Sequence, residues 1–107
     1  MNDFEPNTLR YNEAGLLPVI AQDESTLEVL MLAWMNKESL NETIKSGRTC
    51  FWSRSRNKIW KKGEESGNIQ VVKKIKVDCD NDTILIEVDA QGPACHTGKS
   101  TCFFNKI

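Results

Sequence analysis

The sequence predicts an α+β fold, with a small β-rich single domain over residues 1–107 and one short helix packed on an antiparallel sheet. Three observations predict it. The chain has 107 residues, which suits one hydrophobic core. Two long stretches in its second half alternate apolar and polar residues, as strands with one buried face do. Helix-capping residues flank one short segment near the middle.

Composition narrows the class of protein. The formal net charge is -1, so no overall positive field argues for a nucleic-acid partner. The first six residues are acidic and lack an apolar run, and no stretch is long enough to cross a membrane. We therefore expect a cytoplasmic protein with no membrane partner. In a reducing compartment the four cysteines are expected to bind metal or take part in catalysis rather than form disulfides.

The first half of the chain predicts a lead-in and two strands. Residues 1–15 are expected to form a polar lead-in. Apolar runs at 16–22 and 27–35 predict strands, and the polar residues 23–26 between them predict a turn. After Glu28 the second run is apolar at nearly every position, which is typical of a central strand covered on both faces.

A helix is predicted over residues 37–46. Asn36 before it is a favoured N-cap residue, and Gly47 after it suits the C-terminal cap. Met35 and Leu40 stand at the positions of a hydrophobic staple. The apolar side of this helix is expected to cover the sheet.

The alternating stretches at 69–80 and 83–90 predict a β-hairpin around a two-residue turn, Asn81-Asp82. One register satisfies both faces of this hairpin, since it pairs apolar residues with each other and opposite charges with each other. The expected pairs include Val77 with Ile86 and Lys76 with Glu87.

Three cysteines near the end of the hairpin and beyond it form the pattern C-x15-C-x6-C: Cys79, Cys95 and Cys102. Thiolates select zinc or iron–sulfur clusters. Structural zinc sites have four protein ligands, and catalytic sites have three and leave one position for water. His96 and Cys50 are the candidates for a fourth ligand. We favour three thiolates plus water, which leaves His96 for proton transfer, with Cys50 as a core residue.

Simpler interpretations stay open. The three cysteines also suit a structural zinc knot, whereas an odd set does not pair completely as disulfides. Asp78, Asp80 and Asp82 offer oxygen ligands that suit magnesium, calcium or manganese, and they also suit a plain turn. In a regular strand Asp78 and Asp80 would face away from Cys79, which predicts two separate ion sites unless the strand bends.

Basic and aromatic residues interleave in the segment 53–68. Its candidate substrate-binding residues are Arg54, Arg56, Trp60 and Lys62. Arginine matches the geometry of phosphate, and tryptophan offers a stacking face for a base. A solvated basic hairpin is the simplest interpretation of the composition. A zinc-stapled module that binds nucleic acid through this hairpin is the alternative function.

Four blocks of the chain together resemble a known family. The sequence is similar to phosphoribosyl-AMP cyclohydrolases of histidine biosynthesis from about residue 16 to residue 103. Asn68 stands where members of that family often have a histidine. The blocks, in order, are MLAWMN (31–36), FWSRSR continuing to WKKGEESGN (51–68), DCDND (78–82) and GPACHTG with CF (92–103).

The resemblance implies hydrolytic opening of the adenine ring of phosphoribosyl-AMP at the N1–C6 bond. It implies zinc at the three cysteines, magnesium near the three aspartates, and a homodimer whose metal sites take cysteines from both chains. Zinc chemistry would supply a nucleophile from water at neutral pH, and His96 is the natural acid–base group. The substrate carries two phosphates, which gives Arg54, Arg56 and Lys62 a role.

Overall fold

The structure, a computed structural model, describes residues 5–107 and confirms the α+β class. A short 3-10 helix (Pro6–Thr8) precedes the regular elements. The remaining elements are β1 (Leu17–Asp23), β2 (Val29–Met35), α1 (Lys37–Ser46), β3 (Cys50–Ser53), β4 (Lys58–Lys61), β5 (Gln70–Val77) and β6 (Ile84–Ala90).

Four strands form the main sheet in the order β2-β1-β6-β5, and β3 and β4 form a separate antiparallel hairpin. β1 and β6 run parallel, so the main sheet is mixed, although its other two pairs are antiparallel as predicted. Alternate side chains of the two central strands are fully or almost fully buried, and each leucine, isoleucine or valine among them stabilises the fold by about 1.5–3 kcal/mol. They are Leu17, Val19, Ala21, Ile84, Ile86 and Val88.

The prediction of β2 as a central strand is wrong. It lies at the edge of the main sheet beside β1. Met31 and Met35 face the core, while Val29 and Leu32 are 42% and 48% exposed. The continuous apolar run therefore reflects an apolar outer face on the sheet rather than burial of the strand on both sides within this chain.

The predicted helix is confirmed with both caps. The Asn36 side chain accepts the Ser39 N–H at 2.7 Å, and the Ser39 hydroxyl accepts the Asn36 N–H at 2.9 Å. Gly47 ends the helix in the left-handed conformation at φ 73°. On the buried side, the Thr43 hydroxyl accepts the Cys50 N–H at 2.9 Å, which fastens the helix to β3.

Next to its loop the β5–β6 hairpin forms with a register two residues from the predicted one. A bulge between Val72 and Lys74 increases the displacement to three residues in the first part of β5, where Val72 packs against the core. Val77 pairs with Ile84 instead of Ile86, and the predicted two-residue turn at Asn81-Asp82 is wrong. A slip of two residues preserves which side chains share a face. The predicted contact between Lys76 and Glu87 therefore survives as a diagonal ion pair of 2.7 Å.

The segment predicted as a polar lead-in contributes to the core. Leu9 is 8% exposed and packs in the main hydrophobic cluster, and Tyr11 packs against that cluster. Residues 1–4 of the predicted lead-in lie outside the described part of the chain. Among the described residues, no helix has the length and apolar character needed to cross a membrane.

Candidate active site

The loop between β5 and β6, residues 78–83, is called the acidic loop here. Asp78 organises it, because its carboxylate accepts the N–H groups of Asp82 and Thr83 at 3.0 and 3.3 Å. The Asp78 N–H in turn donates to the Thr83 carbonyl at 3.0 Å. Asn81 takes the left-handed conformation at φ 64°. These local bonds explain the six-residue loop, since a two-residue turn would leave no room for them.

The acidic loop gathers three carboxylates. Asp78, Asp80 and Asp82 are exposed, and one oxygen of each lies within 4.8 Å of the other two. Hydrogen bonds from the backbone of Asp82 hold the pKa of Asp78 below its ordinary value. β5 ends at Val77, so strand alternation does not separate these residues from Cys79. The Cys79 thiol lies 3.9 Å from an Asp80 carboxylate oxygen.

The segment 92–102, the cysteine loop, has no regular secondary structure. Its two ends meet through hydrogen bonds from Ala94 N–H to the Ser100 carbonyl and from Cys95 N–H to the Lys99 carbonyl. Cys102 N–H donates to the Leu30 carbonyl of β2 at 2.7 Å. The loop is thus attached to the edge strand of the main sheet.

Within the cysteine loop the thiols of Cys95 and Cys102 are near enough for each to shift the pKa of the other. The Thr97 hydroxyl donates to the Cys95 sulfur at 3.1 Å. This bond, the Thr97 N–H and smaller contributions from Cys102 and Lys62 lower the pKa of the Cys95 thiol. Burial, followed by the interaction with Cys95, raises the pKa of the Cys102 thiol. The pair can therefore present one thiolate beside one thiol, ready for a soft metal.

Lys62 connects the β3–β4 hairpin to the cysteine loop. Its ammonium donates to the Ala94 carbonyl at 2.5 Å and lies 5.8 Å from the centre of the Trp60 ring. Burial lowers the pKa of Lys62, while the negative charge of Cys102 and Cys95 opposes that shift. A cation thus stands next to the thiol pair.

A cleft of about 460 Å³ follows the β3–β4 hairpin and the turn after it. Arg56, Trp60 and Lys62 line this cleft, as three of the four predicted substrate-binding residues. Arg54, the fourth, lies over the Trp34 ring at 4.6 Å. Lys62 belongs to both the cleft and the surroundings of the thiols, so a molecule in the cleft would lie near the cysteine loop.

A second groove, of about 670 Å³, runs between α1, the 3-10 helix and β5. Apolar side chains and three lysines line it. None of the predicted site residues belongs to it. Volume alone therefore does not locate the site.

His96 follows Cys95 and is exposed to solvent. Its imidazole has no hydrogen-bond partner among residues 5–107, so it is free to meet a ligand.

Asn68 packs against Gly92 at the start of the cysteine loop. A Cβ added to Gly92 would overlap the Asn68 side-chain oxygen. Gly92 has φ 118°, a conformation that also favours glycine.

The predicted ligands fall into two groups, but Cys79 is not grouped with the other two cysteines as predicted. Within residues 5–107, the three aspartates are the one set of three metal-ligating side chains with atoms as close as 4.8 Å. Cys79 lies beside Asp80, and within residues 5–107 the sulfurs of Cys79, Cys95 and Cys102 do not come within 4.8 Å of one another as a set. Cys50 is fully buried, as its interpretation as a core residue predicts.

Sequence reasoning missed two threonines. Thr97 bonds the Cys95 sulfur, and the Thr101 hydroxyl donates to the Val29 carbonyl at 2.6 Å. The spacing of Thr97, two residues after a cysteine, is a local pattern that could have been noticed. The contact of Thr101 joins distant parts of the chain, and no local pattern indicates it.

Comparison with known proteins gives the family to which the sequence is similar. The sequence profile of the family described as phosphoribosyl-AMP cyclohydrolase matches residues 31–104. A protein of that name from Magnetococcus marinus is 60% identical over 97 residues, which cover 91% of this chain and 75% of the relative. A second, from Halorhodospira halophila, is 56% identical over 101 residues, covering 94% and 71%. A third, from Dinoroseobacter shibae, is 50% identical over 105 residues, covering 98% and 88%.

The matched region contains both loops and the basic–aromatic hairpin. Identity of this extent over nearly the whole chain cannot arise from a shared short motif. The chain belongs to the phosphoribosyl-AMP cyclohydrolase family.

Proposed function

We propose that this protein is a phosphoribosyl-AMP cyclohydrolase of histidine biosynthesis, which opens the adenine ring of its substrate by hydrolysis at the N1–C6 bond. Family membership supports the activity. The observation that carries the mechanism is the thiol pair of Cys95 and Cys102 beside a cleft lined by Trp60 and Arg56. The four free thiols suit a cytoplasmic enzyme.

The thiol pair fits zinc by its chemistry. Two adjacent sulfurs, one of them with a lowered pKa, are soft ligands of the kind that zinc prefers. The ion would be held by Cys95, Cys102 and a Cys79 thiol. When bound at such a site, zinc lowers the pKa of water to about 7 and so makes hydrolysis possible at neutral pH.

The chain's own residues would bind the substrate and move protons. Trp60 offers a face for the adenine ring, and Arg56 offers a guanidinium for a phosphate. Arg54 is free to do the same only if it leaves the Trp34 ring. Ring opening needs a proton at the departing nitrogen, and His96, next to Cys95 and open to solvent, would hold and deliver it.

The three carboxylates of the acidic loop fit magnesium. They are exposed oxygen ligands clustered within 4.8 Å, and hard cations prefer oxygen. Asp78, Asp80 and Asp82 would hold this ion. It would offset the charge of nearby carboxylates and of substrate phosphates.

A homodimer would complete the zinc site. Cys79 does not join the close pair of cysteines within one chain, so a second copy is the natural source of the third thiolate. The outer face of the main sheet supports such an interface, because apolar side chains there are only partly covered. They include Pro18, Ile20, Leu32, Trp34 and Leu85.

The alternative function, a structural-zinc module for nucleic acid, needs four protein ligands around one ion. The described residues contain no close set of either three or four cysteine and histidine ligands, so the ligand count does not separate the two functions. Family membership does separate them, and the enzyme is therefore the better-supported proposal.

The direct test is turnover. Purified protein with zinc and magnesium should consume phosphoribosyl-AMP, and the purine absorption should change as the ring opens. AMP, which lacks the second ribosyl phosphate, serves as a control substrate and should remain unchanged. Unchanged phosphoribosyl-AMP in the presence of both metals would contradict the proposed function.

A further inference from the structure

Lys62 is held at both its backbone and its side chain. Its N–H donates to the Thr49 carbonyl at 3.0 Å, just after the end of β4. Its ammonium donates to the Ala94 carbonyl at 2.5 Å. That carbonyl belongs to the peptide bond that joins Ala94 to Cys95. Lys62 therefore orients the peptide on the N-terminal side of a proposed zinc ligand.

The other proposed ligand of the cysteine loop is held from a different direction. Cys102 is attached through its N–H to the Leu30 carbonyl at 2.7 Å, and Thr101 bonds the neighbouring Val29 carbonyl. β2 thus fixes the Cys102 side of the loop, and Lys62 fixes the Cys95 side. The distance between the two sulfurs depends on both attachments.

Charge gives Lys62 a second effect. Three thiolates around one Zn2+ leave a formal charge of -1, and repulsion among the thiolates opposes metal binding. The Lys62 ammonium contacts the peptide bond that precedes Cys95, and there the thiolates of Cys95 and Cys102 would interact favourably with it. The ammonium is half-buried, where such interactions are stronger than in water.

We propose that Lys62 is a positioning residue for the zinc site: it fixes the Cys95 peptide through the Ala94 carbonyl and offsets the charge of the two thiolates. This inference rests on the proposed function. It differs from the role expected from the sequence, in which Lys62 is chiefly a ligand of a substrate phosphate.

Zinc affinity of the full-length protein tests the proposal. Lys62→Met keeps the length of the side chain but removes the charge and the donor. Loss of a group that orients a metal ligand typically weakens metal binding by about 10–100-fold, and we expect a loss in this range. Lys62→Arg keeps a charged donor and should recover most of the affinity. Lys61→Met, one residue earlier on β4, is the matched control and should bind zinc as the wild type does.

Two measurements give the readout: competition with a chromophoric chelator for zinc, and the thiolate-to-metal absorption of the Cd2+-loaded protein. In Lys62→Met the Cd2+ absorption should be altered, because the sulfurs are no longer held in place. Melting temperatures of all variants show whether they are folded. If Lys62→Met does not fold, Lys62→Gln replaces it. Because it keeps an N–H donor without the charge, a smaller loss of zinc affinity is expected.

Unchanged zinc affinity in the folded neutral variant would overturn the proposal. So would a raised KM with unchanged zinc affinity, which would assign Lys62 to the substrate instead. A wild-type protein that binds no zinc at all would overturn the proposed zinc enzyme and this inference together. Zinc bound equally by wild type and variant would overturn the inference alone.

Discussion

The two loops that carry the proposed ligands differ in how much they depend on distant residues. The acidic loop is closed mainly by its own residues, with Asp78 accepting two backbone N–H groups from within the loop. One bond from outside, from the Arg10 N–H to the Asn81 carbonyl, supports it. The cysteine loop has hydrogen bonds of its own, but distant residues also hold it at both ends, Lys62 on one side and β2 on the other.

This difference means that the shape of the acidic loop is set mainly by neighbouring residues, whereas the shape of the cysteine loop also depends on contacts with distant parts of the chain. Changes in the acidic loop should act on that loop and on the ion it holds. Changes far away in the sequence should disturb the cysteine loop, because its shape depends on contacts that only the folded sheet provides. The following predictions test this comparison, beginning with the largest expected effect.

Cys102→Ser should abolish tight zinc binding and lower activity by more than roughly 100-fold. That figure is the upper end of the cost of losing a residue that only supports a metal ligand. Serine is a poor ligand for a soft site. Zinc content by elemental analysis and turnover measured on the same sample check this. Cys50→Ser is the control, since Cys50 is fully buried in the core, and it should keep zinc and activity. Full turnover of the metal-free Cys102→Ser protein would exclude this site.

His96→Ala should lower kcat by roughly 10²–10⁴-fold, the usual effect of losing an acid–base group. Zinc should stay bound, because the imidazole is not among the proposed ligands. The pH profile of kcat should also lose a limb near neutrality. If His96 were the fourth ligand, the variant would bind zinc weakly and added zinc would restore part of the rate. Wild-type kcat with zinc bound would remove His96 from the mechanism.

Asp80→Asn should weaken the response of activity to magnesium by at least about tenfold, the lower end of what losing an indirect partner of a metal costs. A neutral amide is a poorer ligand for a hard cation such as magnesium. Zinc content should be unchanged, because Asp80 is not among the proposed zinc ligands. Magnesium titration of the rate with zinc analysis checks both. Loss of zinc together with the magnesium response would mean that the two loops form one site.

Asp78→Asn should change the acid stability of the metal-free protein slightly. The folded state lowers the pKa of Asp78, so its charge contributes stability at pH values above the ordinary 3.8. That contribution is lost as the pH falls through the lowered pKa. The melting temperature of the wild type should therefore fall more steeply below about pH 4 than that of Asp78→Asn. Parallel curves would show that Asp78 does not hold its loop through its charge.

Local patterns predicted the local parts of the fold well. The helix begins after Asn36 and ends at Gly47 because capping depends on neighbouring residues alone. From residue 74 onward the hairpin was predicted with its faces correct and its register displaced by two residues, and the bulge between Val72 and Lys74 was not predicted. Alternation determines the face of a strand, whereas the register also depended on the hydrogen bonds of Asp78, which the sequence pattern did not indicate.

Predictions that depend on distant partners succeeded less often. β2 has the composition of a central strand, yet its place at the sheet edge follows from the parallel pairing of β1 with β6. The proposed metal ligands were identified by residue type. Only the family resemblance indicated that Cys79 would come from a different chain than Cys95 and Cys102. The contact of Lys62 with Ala94 joins a hairpin to a loop, and no spacing in the sequence predicts it.

The parallel pairing of β1 with β6 also bears on how the chain folds as it is synthesised. The two central strands come from near opposite ends of the described chain, with Val19 beside Ile84. On the ribosome, β1 and β2 can meet early, but the centre of the sheet cannot form until β6 has left the exit tunnel. Contacts of such long sequence separation slow folding. During that interval the apolar face of β1 stays exposed, and the nascent chain is then most vulnerable to aggregation.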